Sequence, residues 1–234
     1  MMKSTEEYRD SLRSYNPRVF IDGRQIENVA DEPLLQPGIN GIGITYDYAS
    51  KPEFAPLMLA REQETGKMVN RLLHIDRTTD DLLAKLEAIR ILCCEAGCVQ
   101  RYLVHDAFNG LYQATKRCDA EEGTSYFERF RDFMIEVQDK DLSYGIAMTD
   151  AKGDRSKKPH QQQHMDSYLH IVEERPDGIV ISGTKAIVTS APYMHGFIVM
   201  PCRAMTPGDT AFAVCCAVPV DAEGITISAR PAGR

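Results

Sequence analysis

SYGIAMTDAKGDR, residues 143–155, is where the patterning of this chain changes character. A short strand-like run rich in Tyr and Ile ends at Met148, and a hydroxyl and a carboxylate follow at Thr149 and Asp150. Gly153 then stands among Lys152, Asp154 and Arg155. A loop of this composition can offer backbone donors and cations to a phosphate-bearing ligand. The same residue types also make an ordinary solvated β-turn, so residue types alone do not name a ligand.

Working outward, everything downstream reads as β. SYGIAM, YLHIVEE, GIVISGTKAIVTS, HGFIVMPCRA, AFAVCCAVPV and ITISAR are short runs rich in Ile, Val, Tyr and Phe, divided by turn signals such as RPDG and DAEG. They predict a small antiparallel barrel or sandwich, with Pro176, Asp177 and Gly178 closing one hairpin. KGDRSKKPHQQQH, residues 152–164, reads as a surface loop. The closing ARPAGR follows a predicted strand with nothing to cover that edge, which predicts a truncated β domain.

Upstream the periodicity is helical, apart from VFIDGRQI, where Asp22 and Gly23 suit a two-residue hairpin turn needing positive φ. Thr78 or Thr79 can cap a helix carrying Leu82, Leu83, Leu86 and Ile89 toward Cys98, with Asp80 and Asp81 at its positive end. A second helix follows through Val99, Leu103, Ala107 and Leu111, and a third covers residues 125–137. The fold class is α+β: residues 1–140 form an N-terminal α-helical domain and residues 141–234 a middle β domain.

Length and composition bound the rest. A chain of 234 residues, 43% hydrophobic, can bury a sizeable core. The net charge of -7, without a basic run, argues against nucleic acid as a partner. The charged N-terminus and the lack of a long apolar run predict a soluble cytoplasmic protein with no membrane partner. Seven cysteines on apolar backgrounds predict reduced thiols, with Cys215 and Cys216 as small core residues. His160 and His164 have the spacing of a metal pair but flank a Gln run without a carboxylate or Cys in reach, which favours a solvated loop.

CVQRYLVHDAFN, AMTDAKGDR and DGIVISGTKAIVTS together, in this order along the chain, resemble the family of 4-hydroxyphenylacetate 3-hydroxylases and 4-hydroxybutyryl-CoA dehydratases. That family is similar in fold to acyl-CoA dehydrogenases: a helical domain, a middle β domain and a C-terminal helical bundle, with FAD between the last two. The resemblance covers the first two and leaves the bundle absent from this chain. It implies FAD as cofactor, with Met148, Thr149 and Asp150 nearest the flavin ring and Asp154 and Arg155 further along it. It places Thr189 where a hydroxyl can hydrogen-bond flavin N5, with Ile187 and Val188 on the same wall.

The two branches imply different chemistry. The dehydratases add a [4Fe-4S] cluster held in part by two cysteines four apart. Cys98 matches the first of these, whereas the second position is Tyr102, whose phenol is no substitute for a thiolate. Cys94 and Cys98 form a C-x3-C pair that predicts one shared helical face. The phenol hydroxylases hold substrate with an Arg, a Tyr and a His, and the matching positions here are Leu103, Ala107 and Ile146. Tyr102 and His105 stand one or two residues away as candidate acid or base.

Three readings follow. The first is an FAD-dependent dehydratase, isomerase or dehydrogenase-like enzyme acting on an acyl-CoA. The second is the oxygenase component of a two-component monooxygenase acting on an aromatic compound. The third is a non-catalytic fragment or split subunit that needs a C-terminal helical partner. The resemblance also implies a homotetramer.

Overall fold

The computed structural model describes residues 2–98 and 100–230. Val99 and the closing residues 231–234 of the sequence-stretches quoted above lie outside the described residues.

Helix α1 (Thr5–Leu12) starts at a capping box, Ser4 accepting from the Glu7 amide while Glu7 accepts from the Ser4 amide. The hairpin of β1 (Val19–Ile21) and β2 (Arg24–Ile26) turns through Asp22 at φ 50° and Gly23 at φ 81°, as the sequence predicts. Helix α2 (Gln36–Ser50) follows, then the single turn α3 (Ala55–Met58) and the pair β3 (Leu59–Arg61) and β4 (Met68–Asn70). Helix α4 (Thr79–Ala96) is capped by Thr78, whose hydroxyl accepts from the Asp81 amide at 3.2 Å. Such a cap contributes about 1 kcal/mol. Gly97, at φ 76°, ends α4, and Gly123, in the left-handed region, ends α5 (Leu103–Glu122). Helix α6 (Tyr126–Asp139) leads into the β region.

There the strands are β5 (Tyr144–Ala147), β6 (His170–Arg175), β7 (Gly178–Ser182), β8 (Gly196–Val199), β9 (Cys216–Pro219) and β10 (Ile227–Ala229). They do not close into an antiparallel barrel. Among the described residues the strands form four small sheets, in the orders β10-β1-β2, β3-β4, β5-β8-β9 and β6-β7. Two of the pairings, β5 with β8 and β1 with β10, are parallel. Parallel partners are joined by long crossovers rather than by a local turn, so the turn signals that promised hairpins could not reveal them.

The predicted run GIVISGTKAIVTS breaks at Gly183, whose φ of 137° and close approach to the backbone of Leu169 leave no room for a side chain. In AFAVCCAVPV, Ala211 and Phe212 close a 3-10 turn, and the strand begins only at Cys216. Cys215 is exposed and not the core residue the sequence suggests, whereas Cys216 is half-buried and packs against the largest core.

The largest core joins both ends of the chain: Tyr8, Leu12, Ile39, Ile42 and Tyr46 of the first helices pack with Ala147, Phe197 and Val199 of the β5-β8 sheet. A second cluster packs α5 and α6, through Val104, Phe108, Phe130 and Met134, on Tyr144 and Ile198. The C-terminal end of β5, from which the Met148–Arg155 loop departs, is thus held from both faces.

Candidate functional site

Two segments far apart in sequence are zipped together. The Ala186 amide donates to the Thr149 carbonyl at 2.7 Å and the Ala151 amide to the Thr184 carbonyl at 3.2 Å, framing an antiparallel bridge between Asp150 and Lys185. Residues on either side of such a bridge turn their own side chains to opposite faces. The Asp150 carboxylate therefore meets the Lys185 ammonium at 2.5 Å on one face, both side chains being buried.

Past this bridge the wall opens outward. Met148 is 43% and Ile187 77% exposed, large apolar side chains turned away from the core. Ile187 also has φ 58°, and Ser190 has φ 63°. A β-branched residue in the left-handed region is a genuine outlier, and such strain clusters where function requires a fixed backbone. Thr189 is exposed between them, with no protein partner for its hydroxyl among the described residues. Ile187 and Val188 line a cavity of about 670 Å³. It runs from Ala147 and Phe197 to the Ala222–Ser228 segment.

The loop after Asp150 is clamped rather than free. Buried Gln162 accepts from the Asp154 amide at 2.9 Å and donates to the Asp154 carbonyl at 2.8 Å. Ser156 donates to the Asp154 carboxylate, which is held below the usual carboxylate range by that bond. Arg155 is exposed, and its carbonyl accepts from Arg203 at 2.7 Å. His160 and His164 are exposed, and His160 is also tied down, its Nδ1 lying 2.8 Å from the carboxylate of fully buried Asp209. Burial works to raise the pKa of Asp209, but bonds from Thr206 and His160 outweigh it and hold the carboxylate ionised well below its ordinary range.

A methyl group at Gly153 meets Gln162 Oε1 at 2.2 Å. Gly153→Ala is therefore expected to break the Gln162 clamp at a cost of about 1 kcal/mol. Amide exchange at Asp154 should accelerate while exchange in β5 stays unchanged; equal protection in both proteins would rule the clamp out.

Tyr102 and His105 are placed by different neighbours. Tyr102 packs with Tyr48 and Ile89 in a third cluster around α4, and burial first, then Cys98 and Cys93 beside it, pushes its phenol pKa up. His105 Nδ1 lies 2.6 Å from the Tyr102 carbonyl, which can only accept, so Nδ1 carries a proton. Its Nε2 is 3.2 Å from Asp106. Because Gly97 ends α4, exposed Cys94 and Cys98 do not share a helical face. Among the described residues no group of three His, Cys, Asp or Glu side chains is arranged to hold a metal ion. No helix among them is long and apolar enough to cross a membrane.

Residues 4–234 match the family model described as 4-hydroxyphenylacetate 3-hydroxylase N terminal. The chain belongs to this family. It is 41% identical to the 4-hydroxybutyryl-CoA dehydratase/vinylacetyl-CoA-Delta-isomerase of Clostridium aminobutyricum, covering 96% of this chain and 46% of that one. It is 28% identical to the 4-hydroxyphenylacetate 3-monooxygenase oxygenase component of Geobacillus sp., covering 98% and 47%. Among solved structures, an oxygen-tolerant archaeal 4-hydroxybutyryl-CoA dehydratase from N. maritimus superposes with TM-score 0.93 at 37% identity, over 97% of this chain and 45% of that one. The oxygenase component HpaB complexed with FAD shares the fold, with TM-score 0.81 at 19% identity over 97% and 46%. The chain spans about half the length of the relatives it matches.

Proposed function

We propose that this family member forms the flavin-facing half of an FAD-dependent enzyme of the dehydratase branch that acts on an acyl-CoA thioester. The observation that carries it is the wall itself: strained, exposed Ile187 and exposed Met148 present apolar surface beside exposed Thr189. A flat, largely apolar ring with hydrogen-bonding atoms along one edge fits such a surface. When bound, FAD supplies a two-electron acceptor or a one-electron relay. The chain's own contribution is to orient that group. Met148 and Ile187 would cover its face, Thr149 and Thr189 would offer hydroxyls to it, and Asp154 and Arg155 would lie toward its phosphates.

The acyl-CoA reading draws support from the 41% identity to the dehydratase and from Leu103, Ala107 and Ile146. These three, at the positions that match the phenol-binding trio, carry no group able to orient or deprotonate a phenol. The cluster of the dehydratase branch does not fit the residues present. Cys98 matches one cluster position, but the other is Tyr102, whose raised pKa keeps it a neutral phenol near pH 7. No step is assigned to a cluster, and Tyr102 and His105 remain the acid and base candidates nearest the α5 face. Residues 1–140 serve in this scheme as the helical domain and residues 141–234 as the middle β domain of a homotetrameric cytoplasmic enzyme. The remaining wall comes from a C-terminal helical bundle or partner chain.

The test is the full-length protein with FAD and acyl-CoA substrates. Turnover of 4-hydroxybutyryl-CoA or a related thioester supports the reading, whereas hydroxylation of a phenol dependent on reduced flavin transfers the protein to the monooxygenase branch. Thr189→Val removes one hydroxyl at nearly constant volume. It is expected to leave stability within about 0.5 kcal/mol, as for exposed substitutions, while lowering turnover on the order of tenfold and shifting the flavin absorbance. Unchanged turnover and spectrum would remove Thr189 from the site.

A further inference from the structure

Lys185 is absent from every site assignment made above, yet its ammonium occupies a singular position. Met148 and Met200 each follow the last residue of a strand, and those last residues, Ala147 and Val199, are register partners in the parallel pair β5-β8. Their carbonyls thus leave the ends of two parallel strands side by side, with no further strand to receive them. Lys185 Nζ donates to the Met148 carbonyl at 3.0 Å, to the Met200 carbonyl at 2.9 Å and to Asp150 Oδ1 at 2.5 Å. An ammonium has three donors, and all three are used. The Lys185 side chain is 9% exposed and that of Asp150 6%, so the charge pair is sheltered from water. The Leu169 amide gives the same Asp150 oxygen a further bond at 3.4 Å.

We infer that Lys185 is a positioning residue that sets the spacing between the two halves of the flavin wall, Met148–Asp150 on one side and Ile187–Thr189 on the other. The inference rests on the flavin reading. A single residue, Ala186, separates Lys185 from strained Ile187, so the backbone that must carry φ 58° is anchored immediately upstream by two bonds to the opposite segment and a third to Met200. Without the ammonium, the hydrogen bonds that hold the segments together among the described residues are the two backbone bonds around the Asp150–Lys185 bridge. The carbonyls of Met148 and Met200 then turn to other donors, and the wall loses its fixed width. Ligands in open sheets meet the carboxyl ends of parallel strands, which is where this ammonium sits.

The test uses full-length protein and FAD itself. K185M combined with D150N removes both charges together, so no buried charge is left unpaired. The double variant is expected to bind FAD at least about tenfold more weakly and to shift the flavin midpoint potential, a quantity that a general loss of stability does not move. FAD affinity within twofold of wild type together with an unchanged potential overturns the inference. K185R keeps the charge but spreads its donors across a planar fork that cannot converge on one point. It provides the same readouts if the double variant fails to fold, and wild-type affinity and potential in K185R likewise overturn the inference. Wild-type protein that binds no FAD removes the flavin reading and this inference with it, an outcome read on the unmutated protein alone.

Discussion

Arg101→Met is expected to destabilise the chain by about 3–5 kcal/mol, because it strands a buried carboxylate. Arg101 is fully buried and donates to Asp141 Oδ1 at 2.5 Å, to the Leu142 carbonyl at 3.3 Å and to Thr45 Oγ1 at 3.2 Å. Its guanidinium lies 3.9 Å from the centre of the Tyr46 ring. Asp141 is equally buried and has φ 45°, a strained turn between α6 and β5 that these bonds hold in place. Its side chain also accepts from the Lys3 amide, and its carbonyl from the Tyr46 hydroxyl at 3.1 Å. One ion pair therefore fastens the start of α5, the middle of α2 and the entry to β5. Methionine fills much of the volume, so the loss is mostly the unpaired charge. Urea unfolding should show a lower midpoint with an unchanged slope, and Arg101→Met combined with Asp141→Asn should recover part of the loss. A double variant whose loss equals the sum of the two single losses would show that the pair carries no coupling.

That pair could not be read from the sequence, and its invisibility is instructive. Thr78, Asp81, Gly97 and Gly123 announce helix ends because capping is a local matter between residues three or four apart. Asp22 and Gly23 announce a hairpin for the same reason. Arg101 and Asp141 are forty positions apart and look like surface charges until the chain is folded. Helix α2 is obscured differently, since Pro37, Gly38, Gly41 and Gly43 all lower helix propensity. Two of those glycines are required by packing: a side chain at Gly38 would overlap the Tyr193 ring, and one at Gly43 the Thr5 side chain.

The candidate site shows the same division. The resemblance points to Met148, Thr149, Asp150, Ile187, Val188 and Thr189, in two short segments, and folding zips those segments together. Their exposure and the positive φ of Ile187 are not legible, since isoleucine is a strand former by every local criterion. Gln162 and Asp209 were missed because each looks like an ordinary polar loop residue, and only burial reveals that it anchors the loop. The signal for Lys185 was present, a lone cation inside the apolar run GIVISGTKAIVTS, but its three acceptors come from two other strands.

Behind the wall, His195 should make the chain acid-sensitive in a defined window. It is 1% exposed, and its Nδ1 accepts from the Ser143 amide at 2.9 Å, so the ring is neutral with its proton on Nε2. Nε2–H then donates to Ser11 Oγ at 2.8 Å, and Ser11 in turn donates to the Tyr8 carbonyl. The ring thereby ties α1 to Ser143, directly before β5. Burial first, then the positive charges of Lys3 and Arg101, lowers its pKa to about 3. In the unfolded chain it titrates near its ordinary value of about 6.5. Between these values the unfolded state binds the extra proton. The stabilisation is thus complete above about pH 6.5 and drains away as pH falls toward 3, reaching on the order of 4 kcal/mol. His195→Asn preserves an acceptor for the Ser143 amide but carries no titrating ring and breaks the link to Ser11. At pH 7 the variant should be less stable by about 2 kcal/mol. Between pH 6.5 and 4 that deficit should shrink, because wild type alone loses the histidine contribution while the carboxylates titrate alike in both. Urea unfolding of both proteins across this range measures the gap directly, and a gap that stays constant with pH would mean that His195 is not held neutral by the fold.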